Sequence, residues 1–145
     1  RAEFLYSLVR ALGVTASFHE NFDDIKKDVY YYKEIGIAKK LGITNGIGNN
    51  KFNPDASITR QDMMILTERA LRILNKLNTQ GVVSYLDGFE DRHLVADYAL
   101  GCVATLVKEG LIIGSEGKLN PLNNATRAET AVFLYRIYNM IYSSR

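Results

Sequence analysis

Two short stretches of this sequence place a guanidinium beside a helix start. Thr59-Arg60-Gln61-Asp62 and Thr126-Arg127-Ala128-Glu129 share the order threonine, arginine, any residue, acid, and stand 67 positions apart. A threonine followed three places later by a carboxylate marks a helix N-cap; the second stretch is a regular capping box and the first a short-chain variant. An arginine just inside such a cap faces the positive end of the helix dipole, where acids are favoured, so its placement asks for a reason. One reason is recognition: the guanidinium, with loop amides and the helix N-terminus, makes a fork-shaped clamp for a carboxylate. The other is a structural ion pair, Arg60 with Asp24 or Asp55 and Arg127 with Asp91. Both hold together if the acid orients the arginine.

Other residues near these arginines have chemistry to offer. Gly46 and Gly114 allow positive φ or the close approach of a ligand, or serve turn geometry alone. Gly42 and Gly110 read as helix stops. Lys39 and Lys40 add positive charge next to the glycine loop, or complement a helix C-terminus. The run Tyr30-Tyr31-Tyr32 covers most of a helical turn, so at least one ring faces solvent or a groove where it can stack on a ligand; Tyr31 is the candidate. Tyr85, Tyr98, Tyr135 and Tyr138 are expected in the core. Asn45, Asn49, Asn50, Asn123 and Asn124 can hydrogen-bond a polar ligand, but loops also collect asparagine for turns, the reading preferred here.

Several function classes are excluded or weakened. Eighteen Lys and Arg against sixteen Asp and Glu leave a net charge of +2, too little for bulk attraction to nucleic acid. No stretch approaches the roughly 18 apolar residues of a membrane span; no charged-then-apolar signal segment opens the sequence, so its start is expected to be a cleavage boundary and not a natural N-terminus. The lone Cys102 cannot form an intrachain disulfide and is expected as a small buried hydrophobe. His19 and His93 stand far apart, so no transition-metal site is expected, and no cofactor. Asp23 and Asp24 are adjacent, a poor arrangement for an acid and base flanking a glycosidic bond, and no nucleophile set is present; the chain is not expected to be an enzyme. The oxygen-rich stretch from Asn49 to Asp55 lacks the alternating acids of a calcium loop.

The elements that must position these residues come in repeats. Phe22-Asp23-Asp24 returns as Phe89-Glu90-Asp91, and Asn53-Pro54 as Asn120-Pro121, each at an offset of 67. Arg1-Ala2-Glu3-Phe4, continuing to Arg10-Ala11-Leu12, matches Arg60-Gln61-Asp62-Met63, continuing to Arg69-Ala70-Leu71. The chain therefore divides into the last helix of a first repeat (1–16), a second repeat (17–80) and a third (81–145). Each full repeat reads as helix, loop, helix. In the second, Asp23 or Asp24 caps a helix whose apolar positions Ile25, Val29, Tyr32, Ile35, Ile37 and Leu41 lead to Gly42; a turn-rich loop over 43–58 follows, then a helix from Met63 to Leu77. The third ends in a helix from Ala131 to Tyr142. No long alternation argues for a sheet, so the fold is expected to be all-α, the repeats packing on one another. The incomplete first repeat is expected to leave part of its helix bare, for a second copy or another segment to cover.

The order Phe-Asp-Asp, apolar helix, Gly-Ile-Thr-Asn-Gly, Phe-Asn-Pro-Asp, Ile-Thr-Arg-Gln-Asp and second helix closely resembles the S-layer homology motif. The third repeat resembles it equally, through Phe-Glu-Asp, Glu-Gly-Leu-Ile-Ile-Gly, Leu-Asn-Pro and Ala-Thr-Arg-Ala-Glu. The resemblance covers nearly the whole chain, in register. It implies a pseudo-threefold helical bundle whose grooves bind secondary cell-wall polysaccharide, often pyruvylated, and so an extracellular, cell-wall location. It also implies ligand contact by the signature arginine, here Arg1, Arg60 and Arg127; Asp24 and Asp91 join the candidate site as the acids that spacing offers to orient it. Gln61-Asp62 stands in place of Ala-Glu, and Leu119 where an aromatic is common, so the grooves are not expected to be equivalent. A protein-binding helical module is the rival reading.

Overall fold

The computed structural model describes residues 1–143 and builds them from helices and turns. Five α-helices are present among them: α1 (Ala2–Leu12), α2 (Tyr32–Lys40), α3 (Arg60–Ile73), α4 (Leu100–Lys108) and α5 (Arg127–Tyr142). Extended pairing among the described residues is limited to isolated bridges such as Gly48 with Lys51 and Ser115 with Lys118. The all-α expectation holds.

The chain forms two compact units, Arg1–Ser57 and Ile58–Arg145. In the first, α1 packs on α2. The apolar residues Phe4, Leu5, Leu8, Val9 and Leu12 of α1 are buried, as are Ile35, Ile37 and Ala38 of α2. The expectation that part of the first helix would lie bare thus fails for its apolar side. In the second unit α3 packs on α4, and a 3₁₀ turn at Val83–Leu86 packs on α4 as well. Here it is α5 that keeps apolar surface open, with Val132, Tyr135 and Tyr138 exposed.

The helix starts follow their caps. Thr59 Oγ1 accepts the Asp62 amide and Thr126 Oγ1 the Glu129 amide, and both helices run from the arginine that follows. The first helix of each repeat is shorter than its apolar spacing suggests. Residues 22–31 turn through successive i→i+3 bonds, Ile25 to Phe22, Val29 to Lys26 and Tyr32 to Val29, and α2 begins only at Tyr32. Lys26, Lys27 and Asp28 are exposed and give this stretch no stripe to bury. In the third repeat the same span is broken into 3₁₀ turns at Val83–Leu86, Arg92–Leu94 and Asp97–Ala99 before α4.

The tyrosines correct another expectation. Tyr85, Tyr98, Tyr135 and Tyr138 are exposed, not core, since smaller aliphatics such as Leu86, Val103, Leu106 and Ile137 fill the interior and leave the phenols at the surface. Cys102 is half-buried; its thiol lies 3.5 Å from Glu68 Oε2, and burial followed by that carboxylate pushes its pKa up to about 11. It is no reactive thiolate.

Candidate functional site

The same backbone device organises the loop of both full repeats. Asp24 is not a helix cap. Its carboxylate accepts the amides of Phe52 at 2.9 Å and Asn53 at 2.7 Å. Asp91 does likewise for Leu119 at 2.8 Å and Asn120 at 2.7 Å. The carbonyl of the residue so held is taken by the signature arginine of the preceding repeat: Arg1 Nε donates to Phe52 O at 3.0 Å, and Arg60 Nε to Leu119 O at 2.9 Å. One peptide residue thus bridges acid and arginine. Asp24 thus reaches Arg1 through Phe52, and Asp91 reaches Arg60 through Leu119, in place of the pairings of Arg60 with Asp24 and Arg127 with Asp91 that spacing suggested.

The helix starts dock on the same loops. The main-chain nitrogens of Arg1 and Ala2 donate to Ala56 O and Pro54 O, and those of Arg60 and Gln61 to Asn123 O and Pro121 O. Loop carbonyls therefore satisfy amides that would otherwise be orphaned at the start of α3. This corrects the picture of an anion clamp that uses the helix N-terminus: those amides are already committed. The guanidinium of Arg60 also meets a carboxylate, Glu129 Oε2 at 2.7 Å from Nη1. Glu129 takes the place of the Asp24 or Asp55 that spacing suggested.

A cavity of about 310 Å³ opens beside this pair. Arg60, Glu129 and Arg136 give it charge, and Gly114 contributes backbone. Met63, Ile112, Ile113, Val132 and Phe133 supply apolar wall. Gly114 has φ 78°, and a Cβ there would lie 2.7 Å from Lys118 O and 2.7 Å from the Phe89 ring. Both backbone angle and space demand glycine, and Gly46 repeats the case at φ 72° against Lys51 O and Phe22.

The structure brings Arg60 and Gly114 to one cavity; Asp91 sits behind them, buried under the Leu119 loop. Arg127 is exposed at the start of α5 and does not line the cavity. In the first unit Arg1 lies over the Phe52 ring, 4.9 Å from its centroid. Lys39 is occupied, donating to Asn21 O at 3.0 Å and Asn50 Oδ1 at 2.7 Å and lying over the Phe22 ring. Through these contacts it braces the loop. Tyr31 is half-buried, its hydroxyl pKa raised by burial and then by Asp55, Tyr30 and Asp24. The exposed ring of the run is Tyr30, 63% accessible and edge-on to Tyr6 and Tyr31. Asn49 and Asn50 adopt positive φ, as does Asn53, so turn geometry accounts for them.

Sequence reasoning missed Glu129 as a partner and Arg136 as a cavity residue. A signal was present for both. Glu129, Val132, Phe133 and Arg136 fall at i, i+3, i+4 and i+7, one face of a helix. Among the described residues no helix is long and apolar enough to cross a membrane, and no group of three metal-ligating side chains is found.

Residues 21–64 and 88–131 match the S-layer homology domain. The chain is 33% identical over 137 residues to an amylopullulanase of Thermoanaerobacterium thermosulfurigenes, covering 93% of this chain and 7% of that protein. It is 32% identical over 140 residues to a surface-layer 125 kDa protein of Lysinibacillus sphaericus, covering 94% and 11%. An S-layer protein of Bacillus licheniformis is 25% identical over 133 residues, covering 92% and 14%. The chain spans a small part of the length of each of these relatives, so the enzyme name describes a protein in which the similar region is a minor part.

Proposed function

Because the chain belongs to the S-layer homology domain family, a cell-wall anchoring module outside the cell, we propose that it holds its parent protein non-covalently to the wall by taking an acidic secondary cell-wall polysaccharide into the cavity beside Arg60. The observation that supports this reading is the composition of that cavity. Arginines share it with an apolar wall from Ile112, Ile113 and Val132. A sugar bearing a pyruvate ketal has matching chemistry, a methyl group and a carboxylate on one carbon, so that apolar contact and a charge-assisted hydrogen bond are made together. Arg60 and Gly114 frame this groove; Arg1, Asp24 and Gly46 frame the corresponding loop of the first unit; Arg127 offers a further cation at the start of α5. Lys39 and Tyr31 support the first loop, and Asp91 the second. The module is non-catalytic in this reading, and any enzymatic activity belongs to other parts of the parent protein.

Co-sedimentation with purified cell walls tests the reading. The chain should pellet with native walls, stay in solution with walls stripped of secondary polymer, and be released by free pyruvylated polymer. Equal pelleting with stripped walls would point to a protein or peptidoglycan partner and overturn it. The exposed apolar side of α5 is where such a protein partner would dock.

A further inference from the structure

We propose that Arg136, and not the signature arginine Arg60, is the cation that meets the ligand's carboxylate in this cavity, with Arg60 as a positioning residue. The inference rests on the acidic-glycan reading above and deepens it. Arg60 is largely committed: Nε is bonded to Leu119 O, Nη1 to Glu129 Oε2, and the side chain is 17% accessible. A ligand carboxylate that took Glu129's place would exchange one carboxylate for another. It would also leave Glu129 beside a second negative charge, an unfavourable arrangement in a partly enclosed site. What the Arg60–Glu129 pair does supply is a link between α3 and α5, which both line the cavity, and through Arg60 Nε to the Leu119 loop.

Arg136 stands differently. It lies two helical turns beyond Glu129 on the same face of α5, it is exposed, and it lines the same cavity. Among the described residues no carboxylate pairs with it. The contrast with the first unit sharpens the point. Arg10 stands nine residues after Arg1, as Arg136 stands nine after Arg127, and Arg10 is matched by Glu34 at 3.5 Å. The helix position is thus charge-compensated on α1 and open on α5. A guanidinium on an exposed helix face, opposite the apolar Ile112 and Ile113, offers a planar fork to a carboxylate while the wall receives the apolar side of the sugar.

The experiment titrates the full chain, followed by NMR, with two probes: a methyl hexoside carrying a 4,6-pyruvate ketal, and the neutral 4,6-ethylidene acetal that lacks only the carboxylate. The wild type should prefer the acidic probe. Arg136→Gln should lose about tenfold or more of its affinity for the acidic probe, as loss of one charge-assisted contact implies. Its affinity for the neutral probe should not change. Arg136→Lys should recover part of the loss. Unchanged acidic-probe affinity in Arg136→Gln, with the wild type still preferring that probe, would overturn the assignment of Arg136 and leave the glycan reading standing. A wild type that does not distinguish the probes would overturn both. Because Arg136 is exposed, the thermal midpoint of Arg136→Gln should match the wild type; a lowered midpoint with equal loss for both probes would mark Arg136 as structural and overturn the proposal.

Discussion

Asp91 holds the amide of Asn120 at 2.7 Å, the distance at which Asp24 holds that of Asn53. Each asparagine has positive φ and is followed by proline, Pro121 or Pro54. Proline restricts the residue before it and removes a donor at the corner. The acid supplies the acceptor that this tight corner requires, and in the same stroke aims the neighbouring carbonyl at an arginine.

Removing that acceptor should loosen the loop. Asp91→Asn would place an amide NH₂ or a single carbonyl where two backbone donors converge in a buried site. We expect a loss of about 1–3 kcal/mol, read as a lower urea midpoint with an unchanged slope. Because Leu119 also accepts from Arg60, acidic-probe affinity should fall as well.

Acid should act through the equivalent site in the first unit. Burial tends to raise the Asp24 pKa, but the amides of Phe52, Asn53 and Asp24 itself, with the charge of Lys51, outweigh it and hold the carboxyl below its ordinary value. The folded form therefore releases the proton more readily than the unfolded one. Asp24 contributes stability that is fully present above the unfolded value, about 3.9, and lost as pH falls through the folded one. Stability measured against pH should show wild type and Asp24→Asn separated by a constant gap at neutral pH, closing below about pH 4. A gap that widens on acidification would contradict the sign.

Gly114 joins the turn to the cavity wall. Gly114→Ala meets both a left-handed backbone angle, costing about 1–2 kcal/mol, and contact with Lys118 O and the Phe89 ring. The thermal midpoint should drop by several degrees. A substitution that leaves the midpoint unchanged would show that the turn relaxes freely.

What was legible in the sequence was local. Thr59 and Thr126 cap because their partners lie three residues away, and Gly42 and Gly110 stand just past α2 and α4 in positive φ because helix ends favour it. The span from Ile25 to Tyr31 was misjudged because helical spacing of Ile25, Val29 and Tyr32 is also compatible with a chain of turns once Asp24 is drawn to the Phe52 amide. The partner of Arg60 was missed for another reason. Glu129 lies 69 positions away and already has a local role in the capping box of α5, so nothing in its own neighbourhood marks it as a counter-ion.

The stagger of the repeats reaches beyond stability. The arginine of one repeat enters the loop of the next, Arg1 into the Phe52 corner and Arg60 into the Leu119 corner. Each full repeat therefore carries a plug at the start of its second helix and, ahead of it, a socket built by its own aspartate. A repeat copied in frame, or exchanged for one from another protein, arrives with both halves of the joint already matched. Arrays of this kind can lengthen by duplication, or be transferred to unrelated cargo, without the invention of a new interface.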